Sequence, residues 1–286
     1  MPTKTIAPSK PEVIKTDYLA LTLASLKRAR SVTKHLNSFI VFLLIAAAVT
    51  AAEVTLMYKP LAGVYVNAIT LAFLIGLSLI SDKARKLAIC VAILPVANMV
   101  VLSMPNAGYF NHKIPFIQSI IYYDTILLLA LVYRFMFTID EEVKQTKIGI
   151  KNYAYVIPLV IIIGQVLGVI GYGMLRNNYP FYTVSLPLIA FCAVVFGFCE
   201  EILFRGLIQY HARKTLGTVM AVILSTGLFA LVNISRASIL SFLFALIAGF
   251  SLAITYAIKQ NIVLTTAMNV SYKLAFIALM ASFTFH

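Results

Sequence analysis

Apolar runs of about 18–23 residues recur along this chain, each long enough to cross a hydrocarbon layer of roughly 30 Å. A backbone in lipid must satisfy its own N–H and C=O groups, so runs of this kind fold as helices. Spans are expected near Ser38–Met57, Leu61–Ile80, Leu87–Met104, Pro115–Phe137, Tyr153–Leu175, Tyr182–Glu201, Leu216–Val232, Ile239–Ile258 and Ile262–Phe285, giving eight or nine crossings. With 61% hydrophobic and only 12% charged residues, the composition excludes an ordinary soluble domain. The expected fold class is all-α: a polytopic membrane protein whose helices form a bundle around an internal polar cavity.

The net charge of +13 would suit a nucleic-acid binder, but its placement argues against one. Lys4, Lys10, Lys15, Lys27, Arg28, Arg30 and Lys34 precede the first span. Lys83, Arg85 and Lys86 follow the second, Lys144, Lys147 and Lys151 the fourth, and Arg205, Arg213 and Lys214 the sixth. The intervening loops are nearly uncharged. This alternation is the positive-inside pattern, and it places the N-terminus in the cytoplasm with the lipid bilayer as the principal partner. No cleavable secretory signal is expected, because about 37 largely polar and basic residues come before the first span. Asp17–Leu36 reads equally well as a solvated leader or as a basic amphipathic helix on the inner surface, with Leu19, Leu23 and Leu26 on one side. The charged stretch Asp140–Lys151 divides the apolar runs into two groups. The expected organisation is a segment 1–37, four helices in 38–150, and a second transmembrane domain in 151–286. Cys90, Cys192 and Cys199 lack metal-knuckle spacing and read as small core residues.

Glu200-Glu201-Ile202-Leu203-Phe204-Arg205 puts three charges at the end of an apolar run. An ionisable residue at membrane depth costs about 2.5–3.5 kcal/mol on insertion scales, so this cluster needs partners or a task. On a helix Glu201 and Arg205 are neighbours at i, i+4, while Glu200 lies roughly 100° away. One reading is a structural ion pair at a helix end; the other is that the pair props the helix while Glu200 faces a polar cavity.

Glu200–Gly206, the Leu228–Asn233 stretch containing Phe229, and Ala267–Lys273 together resemble the CPBP family of intramembrane proteases, which includes CAAX prenyl protease 2 and the Abi proteins. The resemblance covers roughly Tyr153–Phe285. It implies an intramembrane endopeptidase in which Glu200 keeps the role of the base that activates a water, with Asn233 and Asn269 in the places of the family's two motif histidines. The family's second motif is Phe-x-x-x-His, but here Phe229 is followed by Asn233. Its third is His-x-x-x-Asn, and the aligned positions hold Asn269 and Lys273. The resemblance therefore assigns the site to Glu200, Glu201, Arg205, Asn233 and Asn269, with Phe229 and Lys273 beside them.

Asparagine can orient a water or donate to an oxyanion, but it does not exchange protons near neutral pH. It is also a poor ligand for transition metals, so neither metal nor cofactor is expected. Lys273 lies one turn from Asn269 on the same face; it either pairs with Glu200, blocking its use as a base, or snorkels to a water-filled crevice. Two functions stay open. One is a degenerate, weakly active or non-catalytic member acting through a membrane protein partner; the other is an active glutamate-dependent protease cutting a lipidated or membrane-bound peptide. Transport is suggested only by Glu53, Asp124 and Lys273.

Weaker expectations attach to other residues. Glu53 should sit at the outer interface, and Asn67, Asn98, Gln118 and Gln165 should bond between helices. Gly164, Gly168, Gly171 and Gly173 should permit close packing, and the tyrosines should form an interfacial belt. One geometric difficulty remains: these span limits put Glu200 and Asn233 near opposite faces, about 25 Å apart. The motifs meet only if the sixth helix runs on through His211 or the seventh continues past Asn233.

Overall fold

The computed structural model describes residues 38–103, 114–137, 155–175, 185–234 and 239–284. The basic segment 1–37, the charged stretch Asp140–Lys151 and the Arg176–Phe181 turn lie outside the described residues. Among the described residues there are helices and no strands. They are α1 (Ser38–Tyr58), α2 (Pro60–Ile80), α3 (Asp82–Leu102), α4 (Ile114–Phe137), α5 (Val156–Leu175), α6 (Leu186–Glu201), a π-helical segment (Ile202–Gln209), α7 (Tyr210–Leu216), α8 (Thr218–Ile234), α9 (Ile239–Lys259) and α10 (Ile262–Thr284). Eight helices are long and apolar enough to cross a membrane, and α8 is a shorter apolar helix. The protein is a multi-pass integral membrane protein.

Local chemistry sets the breaks. Pro60 opens α2 directly after Lys59, where its missing N–H costs nothing. Ser81 ends α2 and caps α3, its hydroxyl accepting the Ala84 N–H at 3.3 Å. Gly217, at φ +86°, takes the left-handed conformation that ends α7 and turns the chain into α8.

One element departs from expectation. The sixth span does not end at Glu201 but continues through the π segment and α7, forming a 31-residue apolar rod from Leu186 to Leu216. Glu200 and Glu201 therefore sit halfway along it rather than at an edge. The charges do not terminate the rod because each is paired inside the bundle. The rod touches α1, α3, α4, α8, α9 and α10, and is the axis on which both halves pack.

Close helix contact in the second half depends on glycine. A Cβ on Gly164 would stand 2.5 Å from the Met268 carbonyl, and one on Gly168 2.6 Å from that of Tyr272. The Gly164–Gly168 spacing is the small-xxx-small arrangement that lets transmembrane backbones approach. Ser271 adds a hydroxyl bond to the Ile161 carbonyl at 3.0 Å. Gly171 makes room for the Phe244 ring, whereas Gly173 faces open space. Because α10 carries Asn269 and Lys273, the glycines of α5 set the depth and rotation of both. Gly168→Val is expected to push α10 away and lower the thermal unfolding midpoint in detergent by several degrees; Gly173→Val is expected to leave it unchanged.

Three expectations about polar residues change. Glu53 is not at an interface but 1% exposed, accepting from Asn98 Nδ2 at 2.8 Å. Asn98 also donates to Asn67 Oδ1 at 3.3 Å, so these residues tie α1, α2 and α3 together. Gln165 is exposed on α5 instead of bonding between helices. Tyr122, Tyr123, Tyr133 and Tyr272 are buried, so the tyrosines are not only a belt. The three cysteines are free and buried.

Candidate functional site

At the midpoint of the rod, four charged side chains and one amide form a continuous chain. Lys273 Nζ lies 3.0 Å from Glu200 Oε1. Asn269 Nδ2 donates to Glu200 Oε2 at 3.1 Å and to Glu201 Oε1 at 2.7 Å. Arg205 Nη1 donates to the same Glu201 oxygen at 3.0 Å. The sequence of contacts is lysine, glutamate, asparagine, glutamate, arginine: two cations, two carboxylates and a neutral bridge, with formal charges summing to zero. Asn269 can hold this position only with its NH₂ toward the carboxylates, because its oxygen there would face two acceptors.

Each member is positioned by a helix whose packing is visible in the sequence. Glu200 and Glu201 close α6, where Gly197 allows α10 to come within reach: a Cβ there would meet Val270 Cγ2 at 3.0 Å. The π segment begins at the next residue and carries Arg205, which is 0% exposed. Its Nη2 donates to the Gly249 carbonyl at 3.1 Å, and its guanidinium lies 4.8 Å from the Phe229 ring centroid. One turn on, Gln209 Nε2 donates to the Ala253 carbonyl at 2.8 Å. Two side chains of the π segment thus clamp successive turns of α9. Such segments are rare and recur at functional positions, since the wider turn changes which side chains face inward.

Tyr123 of α4, a residue that sequence reasoning missed, completes the shell around Glu200. Its hydroxyl donates to Glu200 Oε1 at 2.5 Å, while its ring stacks on Phe196 with centroids 4.2 Å apart. The signal was present: a Tyr-Tyr-Asp run lies deep inside an apolar span, where a phenol needs a buried acceptor. Glu200 therefore receives three donors, Tyr123 and Lys273 on one oxygen and Asn269 on the other.

The structure brings together Glu200, Glu201, Arg205, Asn269 and Lys273, with Phe229 against the guanidinium. Asn233 stays apart. It sits in the last turn of α8, and its amide donates to the Phe229 carbonyl on its own helix at 2.8 Å. It makes no hydrogen bond to either carboxylate among the described residues. No group of three His, Cys, Asp or Glu side chains that could hold a metal occurs among the described residues. The carboxylates that a cation would need already face Lys273 and Arg205.

Residues 182–275 match a family model described as type II CAAX prenyl endopeptidase, Rce1-like. This segment is Rce1-like. It contains every residue of the chain of contacts except Tyr123, which the preceding half supplies. No curated protein and no solved structure matches the chain. The matched segment holds Glu200, Glu201 and Arg205, with Asn269 and Lys273 of α10 against the two carboxylates.

Proposed function

We propose that this CAAX protease-like membrane protein is a non-catalytic or very weakly hydrolytic member of its family, acting through a membrane protein partner. The observation that carries this reading is the pairing of Glu200 with Lys273, inside a shell of donors that takes three of its roughly four lone-pair sites. A general base needs a free lone pair toward a water and a conjugate acid that forms readily. Here Oε1 is shared by a phenol and an ammonium, and Oε2 by an amide. The ammonium neutralises the charge that would draw a proton from water. Neither Asn269 nor Asn233 can pass a proton onward, and losing such a partner typically removes 10²–10⁴-fold in rate.

In this reading the five-residue chain is a structural keystone joining α6, the π segment and α10, with Tyr123 extending it to α4. The charged stretch Asp140–Lys151 then divides two groups of helices that share one polar centre. The alternation of basic loops supports a cytoplasmic N-terminus, with the Arg213 and Lys214 end of the rod on the same side.

The competing reading is an active glutamate protease cleaving a lipidated or membrane-bound peptide. The two separate in liposomes holding purified protein and a fluorogenic farnesylated peptide. Turnover indistinguishable from protein-free liposomes is expected. Cleavage that disappears with Glu200→Gln, in a variant still folded by circular dichroism, would overturn the proposal.

A further inference from the structure

We propose that Asp124 marks a docking face for a transmembrane helix of another membrane protein, one carrying a lysine or arginine at matching depth. Asp124 is the eighth residue of the apolar span Ile117–Phe137, roughly 10 Å in from its edge at 1.5 Å per residue. Its neighbour Tyr123 turns inward to Glu200, and Asp124 itself is exposed. The outward surface it heads is apolar: Leu128, Leu131 and Phe135 follow at i+4, i+7 and i+11, at 62%, 55% and 81% exposure. A carboxylate on a lipid-facing stripe is the costly placement that membrane proteins avoid unless it has a partner.

The charges of the central chain are accounted for. Glu200 pairs with Lys273 and Glu201 with Arg205, whereas Asp124 enters no ion pair or hydrogen bond among the described residues. With no cation facing it among the described residues, the partner in this proposal is a basic residue on a helix outside the bundle. A second copy of the chain does not supply it. A twofold across this face would set carboxylate against carboxylate, and Arg134, ten residues on, lies about 15 Å away along α4. Lipid does not supply it either, since cationic headgroups stay at the interface. A helix with one basic residue in an apolar run fits both the charge and the Leu128–Leu131–Phe135 surface. The inference names the partner chemistry for the proposed non-catalytic role but rests on α4 alone, so its failure would leave the loss of hydrolysis untouched.

The test uses the full chain, donor-labelled in liposomes, with acceptor-labelled 21-residue Leu/Ala helices bearing Lys, Leu or Glu at the position level with Asp124. The Lys peptide is expected to associate about tenfold or more tightly than the Leu peptide, a margin consistent with pairing one charge in lipid. Asp124→Asn should reduce it to the Leu level without lowering the thermal midpoint. Asp124→Lys should transfer the preference to the Glu peptide. Equal binding of Lys and Leu peptides would overturn the proposal, whether because Asp124 faces water or because another segment of this chain covers it. So would Lys-peptide binding that survives Asp124→Asn.

Discussion

Glu200→Gln or Lys273→Met alone is expected to destabilise the folded protein by about 3–5 kcal/mol, and the two together by much less. The reason is the depth of the pair: Glu200 and Lys273 are 3.0 Å apart with side chains 5% and 18% exposed. Removing one partner leaves the other charge uncompensated in a medium that cannot hydrate it. Removing both leaves an amide and a thioether, which Asn269 and Tyr123 can still contact. Reversible unfolding in mixed micelles, run as a double-mutant cycle, reads the coupling directly. Additive losses would show that the pair contributes no mutual stabilisation.

The second large effect is a gain. The variant Asn233→His, Asn269→His, Lys273→Asn is expected to cleave the farnesylated peptide about 10²–10⁴-fold faster than the native chain. Lys273→Asn removes the ammonium from Glu200 Oε1, and a histidine at 269 reaches both carboxylates from the position that Asn269 holds. Each imidazole can give and take a proton near neutral pH, which neither asparagine can. Single-turnover measurement of the variant, with Glu200→Gln added as control, checks it. A native rate equal to that of the variant would mean that the lysine and asparagines do not limit the chemistry. Asn233 also tests geometry: bonded to Phe229 O on its own helix, it must swing inward to take part, so the variant lacking Asn233→His should keep part of the gain.

Much of this arrangement was legible in the chain because membrane depth makes charge conspicuous. Glu200, Glu201, Arg205 and Lys273 stood out against apolar runs, and i, i+4 spacing paired Glu201 with Arg205. For Lys273 the chain left two readings open, pairing with Glu200 or snorkelling to a crevice, and the structure has the first. The rod was harder to read. Charges ordinarily end a span, and nothing local to Glu200 says that Lys273 will neutralise it, or Asn269 donate to it, from about seventy positions away. Tyr123 was missed for the same reason, since its acceptor lies 77 residues on. Glu53 was misplaced because its bonds to Asn98 are a tertiary fact, formed only when α1 and α3 pack. Asn233 kept the motif spacing but not its contact, as spacing fixes height along a helix and says little about where a side chain turns.

The π segment gives the rod two independent phases. Ordinary winding places each successive residue roughly 100° further round, whereas a stretch bonded to the fifth residue lags behind that rotation. Everything upstream, including both glutamates, is registered to α4 and α10. The downstream α7 packs instead on α8, α3 and α1, with His211 making a 2.9 Å contact to Tyr133 of α4. A one-residue deletion between Ile202 and Gln209 would let the rod rewind as a plain α-helix. Glu200 would keep its three donors while the Tyr210–Leu216 end turned to present different side chains. Insertions and deletions in this stretch are thus a route by which related chains can alter one end of the rod while conserving its charged midpoint.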